Sequence, residues 1–361
     1  MKAWRFYDTH DYRLEEIPIP QVKEGWALLK IKVFQLSVSE ISRIKGMPTM
    51  GYKKIRDEIL KNAPALRFGH EFTGEVIELG KGVTHLKVGD RVVSKNKIPC
   101  HQCALCRAGR EEDCRKGIQI GFDIPGCLSE YALLPGEALV KLSGNVDDHE
   151  GATLQPLSSC VQAIVDVQIK MGDTVAVLGQ GVMGLSCMQL AKIAGAGKVI
   201  ALDIREENLA MSRQLGADEV LHAKDPDLMK KVSELTSGLG PDIVFECAGG
   251  TTKHGLSGSV TLNQAMEMVR DTGKILQIAT FGDPVELNLD AFRKKAIQYL
   301  FPRGPSDKMW AYTVQVVGEK RVKVKPTIGK ILHGLESFKE AVELTAEKGK
   351  FNLINPPQVV I

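Results

Sequence analysis

The sequence predicts an α/β protein in two parts, a mostly β part and a doubly wound parallel sheet. Three observations carry this. The first 150 residues hold short alternating apolar segments separated by Gly, Pro and charged turns. From about residue 170, short apolar strands alternate with helical segments. A glycine-rich turn joins the first of those strands to its helix. At 361 residues the chain exceeds one ordinary core. Its 43% apolar and 25% charged content is that of a soluble globular protein. The net charge of +3 is small and its basic residues are scattered, which argues against a nucleic-acid partner. No apolar run approaches the roughly 18 residues of a membrane span. The opening MKAWRFYDTH lacks the apolar stretch of a signal peptide, so the expected location is cytoplasmic and no membrane partner is expected.

Alternation of apolar and polar residues predicts strands over 26–33, 72–79 and 90–94, paired antiparallel. The second part begins with a buried-type strand at 174–178 and an apolar helix over 182–194. Strands at 198–202, 219–221, 242–246 and 274–279 follow, with helices near 206–214, 228–236 and 261–270 between them. The last sixty or so residues return to irregular sequence with one clear helix over 338–347. They are expected to fold back onto the first domain, making the second an insertion.

Gly179, Gly181 and Gly184 form G-x-G-x-x-G with Gln180, Val182 and Met183 between them. The pattern follows a strand, opens a helix, and is trailed 19 residues past Gly184 by Asp203 at the end of the next strand. That context is the dinucleotide fingerprint of a Rossmann domain. The first glycine makes the turn, the second admits a pyrophosphate, and the helix N-terminus supplies N–H groups and positive potential. Asp203 would accept bonds from ribose hydroxyls and repel a 2′-phosphate, which favours NAD over NADP. Arg205, two residues on, is the counter-indication.

Four of the eight cysteines, Cys100, Cys103, Cys106 and Cys114, crowd into fifteen residues as C-x2-C-x2-C-x7-C. Four thiolates fill a tetrahedral zinc shell and leave no open position, so the site reads as structural. An iron–sulfur cluster is the alternative. Lys97, Arg107, Arg110 and Arg115 would offset the thiolate charge. Cys160 reads as packing or as pocket lining. The basic segment of Lys294, Lys295 and Arg303 reads as a solvated face, with attraction of an anionic substrate as the alternative. His10, His85, His149, His222, His254 and His333 have no motif around them.

Together, G69-H-E71, V88-G-D-R91, the cysteine lobe, G126-C-L-S-E-Y131, Q155-P-L-S-S159 and the glycine loop resemble one family. It is the zinc-containing medium-chain alcohol dehydrogenases, nearest the sorbitol, threonine and polyol dehydrogenase branch. The resemblance implies a GroES-like catalytic domain over 1–153 and 293–361, with its structural zinc lobe at 97–116. The NAD-binding Rossmann domain would span 154–292, in a homodimer or homotetramer. It implies catalytic zinc on a cysteine, the His and often the Glu of G-H-E, and a later acid. Here His70 and Glu71 are present, but the cysteine position holds Ser37 and the acid position Gln155. Neither supplies a charge, so tight catalytic zinc is not expected. The resemblance also places Ser39 on the path of the substrate proton, Glu40 behind the histidine, and Ser159 and Ala248 beside the nicotinamide.

Three readings of His70 stand: a weak metal ligand with Glu71, a metal-free acid/base or hydrogen-bond donor, or inherited structure. Three functions follow. The first is an NAD-dependent oxidoreductase that interconverts a secondary alcohol, a polyol or hydroxy compound, with its ketone. The second is a metal-free NAD(P)H-dependent reductase of an activated C=C or C=N bond, and the third a non-catalytic NAD-binding protein.

Overall fold

The structure, a computed structural model, describes every residue except 48–51, 251–257 and 282–283. His254 lies outside the described residues. The chain divides into two compact units, residues 1–156 with 306–320 and 324–361, and residues 157–305 with 321–323. No helix among the described residues is long and apolar enough to cross a membrane.

In the first unit β1 (Lys2–Phe6) pairs with β2 (Tyr12–Glu16). The long β3 (Trp26–Gln35) then leads to α1 (Val38–Ile44) and α2 (Tyr52–Lys61). β4 (Glu71–Leu79) returns antiparallel along β3, with Phe72 opposite Phe34 and Glu71 opposite Gln35. β5 (Arg91–Ser94) follows, and then the lobe of β6 (Lys97–Ile98), α3 (Ala104–Arg107) and β7 (Ile118–Gln119). β8 (Tyr131–Pro135) pairs with β3, β9 (Leu139–Lys141) with β5, and the short α4 (Asp148–Gly151) precedes α5 (Leu154–Val167). Phe6, Phe34, Phe68, Phe72 and Phe338 are almost wholly buried in this core. Each such ring contributes about 2–3 kcal/mol by leaving water.

The second unit is a six-stranded parallel sheet. Its strands are β10 (Thr174–Leu178), β11 (Lys198–Asp203), β12 (Glu219–His222), β13 (Ile243–Glu246), β14 (Lys274–Gln277) and β15 (Gln298–Leu300). Their order is β12-β11-β10-β13-β14-β15. The helices are α6 (Val182–Ile193), α7 (Glu206–Gln214), α8 (Leu228–Leu235), α9 (Val260–Met268) and α10 (Leu289–Lys295). The strand order reverses between β10 and β13, and a dinucleotide binds beyond the carboxyl ends of the strands at such a point. This is the expected α/β fold of a GroES-like domain and a Rossmann domain.

The return of the chain corrects the expected boundary at 293. α10 and β15 stay with the parallel sheet, because Gln298 and Tyr299 pair with Lys274 and Ile275 of β14. The first unit resumes at 306 with α11 (Asp307–Gly318), and continues through β16 (Ile331–His333), α12 (Phe338–Ala346) and β17 (Gln358–Val360). β17 lies antiparallel to β3, with Gln358 opposite Gln35. The other boundary, expected at 153/154, falls at 156/157 inside α5.

Candidate functional site

The segment Arg67-Phe68-Gly69-His70-Glu71 enters β4 through a left-handed kink. Phe68 has φ 63° and Gly69 φ 80°. A Cβ on Gly69 would lie 2.8 Å from Cys127 Sγ and 2.9 Å from the Cys127 amide nitrogen, so only glycine fits. The kink is pinned by bonds from the Phe68 amide to Gly121 O (2.6 Å) and from the Cys127 amide to Gly69 O (2.9 Å). It leaves His70 and Glu71 side by side and about 95% buried.

Glu40, fully buried, organises what faces them. Its Oε1 accepts from the Gly69 amide at 2.7 Å and lies 2.7 Å from His70 Nδ1. Its Oε2 accepts from the Ser37 amide at 3.1 Å, while Ser37 Oγ accepts from the Glu40 amide at 3.1 Å. Ser37 and Glu40 thus form a capping box at the start of α1. Ser37 Oγ is also 2.9 Å from Oγ of the exposed Ser39.

Burial opposes charge on both members of the His70–Glu40 pair, but their mutual attraction prevails. It raises the pKa of His70 above the ordinary value and, with the Ser37 and Gly69 amides, holds that of Glu40 below it. Glu71 differs: burial pushes its carboxyl up to about 7, against the attraction of His70 and a bond from Gln35. That bond, Gln35 Nε2 to Glu71 Oε2 at 2.6 Å, belongs to a buried polar row across three strands. Gln358 Nε2 donates to Gln35 Oε1 at 3.2 Å, and Gln358 Oε1 lies 2.7 Å from His149 Nδ1. The sequence reading missed Gln35 and Gln358, which only strand register brings to Glu71. Gln155 is half-buried in the first turn of α5.

Among the described residues, three or more metal-binding side chains meet at Cys100, Cys103, Cys106 and Cys114 alone, with all four sulfurs within 4.8 Å of one another. The sulfur separations of 3.5, 3.6, 3.9 and 4.0 Å match the edge of about 3.8 Å expected for a tetrahedron of 2.3 Å zinc–sulfur bonds. A cluster with inorganic sulfide would hold its thiolates further apart. The donor set therefore fits one structural zinc. The Cys100 amide points at Cys114 Sγ (3.4 Å), and that contact is the largest cause lowering the Cys114 thiol to about 6. Outside the shell, His101 is clamped between Glu111 and Glu137, at 2.8 Å from each.

In the second unit the glycine loop leaves β10 with Gly179 at φ 87°, a Cβ there meeting Ala248 at 2.9 Å. A Cβ on Gly184 would lie 1.8 Å from Gly179 O, whereas one on Gly181 would meet nothing within 4 Å. Open space at the second glycine, at the N-cap of α6, is the cradle a pyrophosphate needs. Val182 and Met183 follow in the first turn, half-buried. Asp203 ends β11 and accepts from the Gln180 amide (2.6 Å), Asn208 Nδ2 (3.1 Å) and the Arg205 amide (2.9 Å). A carboxylate has about four acceptor sites, so one is left for a ribose hydroxyl. The Arg205 guanidinium is paired with Glu207. Ser159 is half-buried on α5 and Ala248 half-buried beyond β13. Cys160 is fully buried with its Sγ 3.6 Å from Met183 O, a packing position. Lys295 Nζ donates to the carbonyls of Met266, Glu267 and Val269, capping the end of α9, and Arg303 pairs with Asp166. Lys294 and Arg303 are exposed, as a solvated face requires, whereas Lys295 is half-buried and departs from it.

Comparison with known proteins agrees with this geometry. Residues 23–144 match the alcohol dehydrogenase GroES-like domain, and residues 182–317 match the zinc-binding dehydrogenase domain. An erythritol/L-threitol dehydrogenase of Mycolicibacterium smegmatis is 33% identical over 299 residues, 80% of this chain and 78% of that protein. A sorbitol dehydrogenase of Halalkalibacterium halodurans is 29% identical over 89% of each chain. The crystal structure of 2R,3R-butanediol dehydrogenase from Bacillus subtilis matches 100% of this chain and 99% of its own, with a TM-score of 0.85 at 25% identity. With the G-H-E kink, the four-cysteine lobe and the glycine loop in place, the chain belongs to the zinc-type medium-chain alcohol dehydrogenase family and is an enzyme of that kind.

Proposed function

We propose that this enzyme is an NAD-dependent dehydrogenase of a secondary alcohol, a polyol or related hydroxy compound, in which His70 takes the place of a tightly held catalytic zinc. The relatives that act on erythritol, sorbitol and butanediol support the substrate class. Asp203 at the end of β11, with Arg205 turned to Glu207, supports NAD over NADP. The observation that carries the zinc reading is the Ser37–Glu40 capping box. The hydroxyl that stands at the cysteine position is engaged by the start of α1, and Glu40 holds Nδ1 of His70. A neutral hydroxyl and the Gln155 amide are poor partners for zinc beside imidazole and carboxylate. This donor set does not fit a catalytic zinc.

Bound NAD supplies the nicotinamide C4 that accepts the hydride. The protein's residues manage the proton. With Nδ1 held by Glu40, the other ring nitrogen of His70 is the one that faces chemistry, and the raised basicity of the ring suits it to take the hydroxyl proton as the carbonyl forms. Ser39, exposed and bonded to Ser37, is the hydroxyl to which the reading assigns passage of the substrate proton. In the reverse direction the same imidazolium donates to the carbonyl oxygen, which stabilises the developing alkoxide. The test is deuterium transfer from 4-deuterated NADH into a panel of ketoses, enones and imines, run beside zinc analysis. Label in a ketose with about one zinc per chain is the expected result. Label only in an enone or imine would favour the reductase, and no label anywhere a binding protein.

A further inference from the structure

Gln358 on β17, Gln35 on β3 and Glu71 on β4 stand opposite one another in neighbouring strands and form one rung across the sheet. None is more than 4% exposed. Apolar side chains of the same shape would serve the core as well, because buried polar pairs add little net stability. The rung ends on Glu71, a buried carboxyl that the proton chemistry of His70 leaves without a part.

The rung runs one way. Gln358 Nε2 donates to the backbone carbonyl of His149 at 2.9 Å and to Gln35 Oε1 at 3.2 Å. Turning the Gln358 amide over would set its oxygen against that carbonyl, so the backbone fixes which end donates. Gln358 Oε1 then accepts from His149 Nδ1, 2.7 Å away, which requires the imidazole proton on Nδ1. Gln35 accepts at Oε1 and so turns its NH2 to Glu71 Oε2, at 2.6 Å. Oε2 is thereby committed. Among the described residues none bonds Glu71 Oε1, and it is not one of the oxygens sealed in the core without a partner.

We propose that Gln35 and Gln358 are positioning residues that fix Glu71 with Oε1 as its one open acceptor, which receives a hydroxyl of the substrate next to the one reacting at His70. The proposal rests on the secondary-alcohol reading. The two oxygens of a carboxylate are alike until a neighbour distinguishes them, and here the donor on Gln35 does so. A carboxylate pinned at one oxygen has its last rotation fixed before the alcohol arrives, which lowers the entropy lost on binding. The polarity of the rung also decides what an amide at position 71 would do. Its oxygen would have to meet the Gln35 NH2, so its own NH2 would replace the open acceptor by a donor.

The experiment is a double-mutant cycle between positions 358 and 71, read on 2,3-butanediol and erythritol, with 2-butanol as the alcohol that lacks the second hydroxyl. Gln358→Met and the isosteric Gln358→Glu should each lower kcat/KM for a diol by about 3- to 10-fold, and for 2-butanol by no more than about twofold. Glu71→Gln should lower the diol value by about 10- to 100-fold, the worth of a bond to a charged group. Adding Gln358→Met to Glu71→Gln should then cost less than about twofold, because position 358 acts through the carboxylate. Equal losses on diol and 2-butanol, or a Gln358→Met loss undiminished beside Glu71→Gln, would show packing alone and overturn the proposal. So would wild-type kinetics in Gln358→Glu, which keeps the shape of the rung and reverses its polarity. Nitrogen-15 NMR of the imidazoles, with His149 assigned through His149→Asn, gives a readout free of turnover. The proton should sit on Nδ1 of His149 in the wild type; a proton on the other nitrogen alone would overturn the one-way rung. No turnover of any of the three alcohols, with the proton on Nδ1, would sink the dehydrogenase reading and the alcohol as occupant while the rung stands. Melting curves identify a variant that fails to fold, and Gln358→Glu then carries the cycle in place of Gln358→Met.

Discussion

Glu40→Gln tests the centre of the site with the smallest change of shape. The carboxylate accepts three bonds: Oε1 serves the Gly69 amide and His70, and Oε2 the Ser37 amide. Glutamine can place its oxygen on one side only, so its NH2 must face a donor on the other. With the oxygen toward Gly69 and His70, the reciprocal half of the capping box is lost, at about 1 kcal/mol. The two remaining bonds lose charge assistance, at about 1 kcal/mol more. For a compact unit of this size each kcal/mol is worth about 2–4 °C, so the melting temperature should fall by about 4–8 °C. The kinetic effect has a definite sign. Glu40 raises the pKa of His70, so the acidic limb of alcohol oxidation lies above the ordinary histidine value of about 6.5. Removing the charge should move that limb to lower pH and lower kcat, because the ring is a weaker base. Scanning calorimetry and a pH profile of kcat/KM read both effects. An unchanged melting temperature with an unchanged limb would refute the role given to the pair.

Ser37→Cys combined with Gln155→Glu should raise bound zinc from about one to about two per chain by elemental analysis; a count that stays at one would mean that these are not ligand positions. Cys103→Ser should lose the structural zinc and unfold the lobe, read as loss of zinc with new proteolytic cleavage within 97–119. His101, held by Glu111 and Glu137, has a raised pKa in the folded chain. Its stabilising contribution is complete below about pH 6.5 and fades as pH rises through the folded value, so His101→Gln should remove a decline in melting temperature above neutrality. A pH dependence identical in the variant would exclude the clamp.

What was legible in the sequence was chemistry that a local pattern must carry. Gly179, Gly181 and Gly184 read correctly as a strand-to-helix turn because Gly179 takes a positive φ and Gly184 packs on Gly179 O, while Gly181 leaves open space at the N-cap of α6. The four cysteines read as a metal lobe because a small tetrahedron needs close spacing. Ser37-x-x-Glu40 was equally legible as a capping box, though comparison with a metal-ligand pattern draws attention to what Ser37 lacks and away from what it does. Gln35 and Gln358 were not legible. They reach Glu71 through pairing of β3 with β4 and β17, strands far apart in the chain, and nothing local marks a glutamine as inward-facing. Lys295 was misread for the same reason: its three acceptors lie at the end of α9 and on its C-cap, about thirty residues earlier.

Ser37 and Glu40 gain coherence when α1 is taken as a unit. A thiolate at position 37 would have to turn toward a metal, leaving the first turn of the helix without its cap. A serine there satisfies the Glu40 amide, and a glutamate three residues on has the reach to return to the Ser37 amide. That same carboxylate still meets Gly69 and His70, so the helix start, the G-H-E kink and the imidazole become one hydrogen-bonded body. Serine at 37 and glutamate at 40 are thus one coupled feature. Either change alone would leave a buried amide or carboxylate oxygen short of a bond, at about 1–3 kcal/mol each. In the proposed reading, the pair gives the start of α1 a histidine to hold in place of a metal ion. The proposed site keeps the proton chemistry of an alcohol dehydrogenase and would draw its electrophilic strength from an imidazolium. Such an enzyme should lose activity as pH rises through the raised pKa of His70 in the ketone-reducing direction, a limb that a zinc-polarised carbonyl would not owe to this residue.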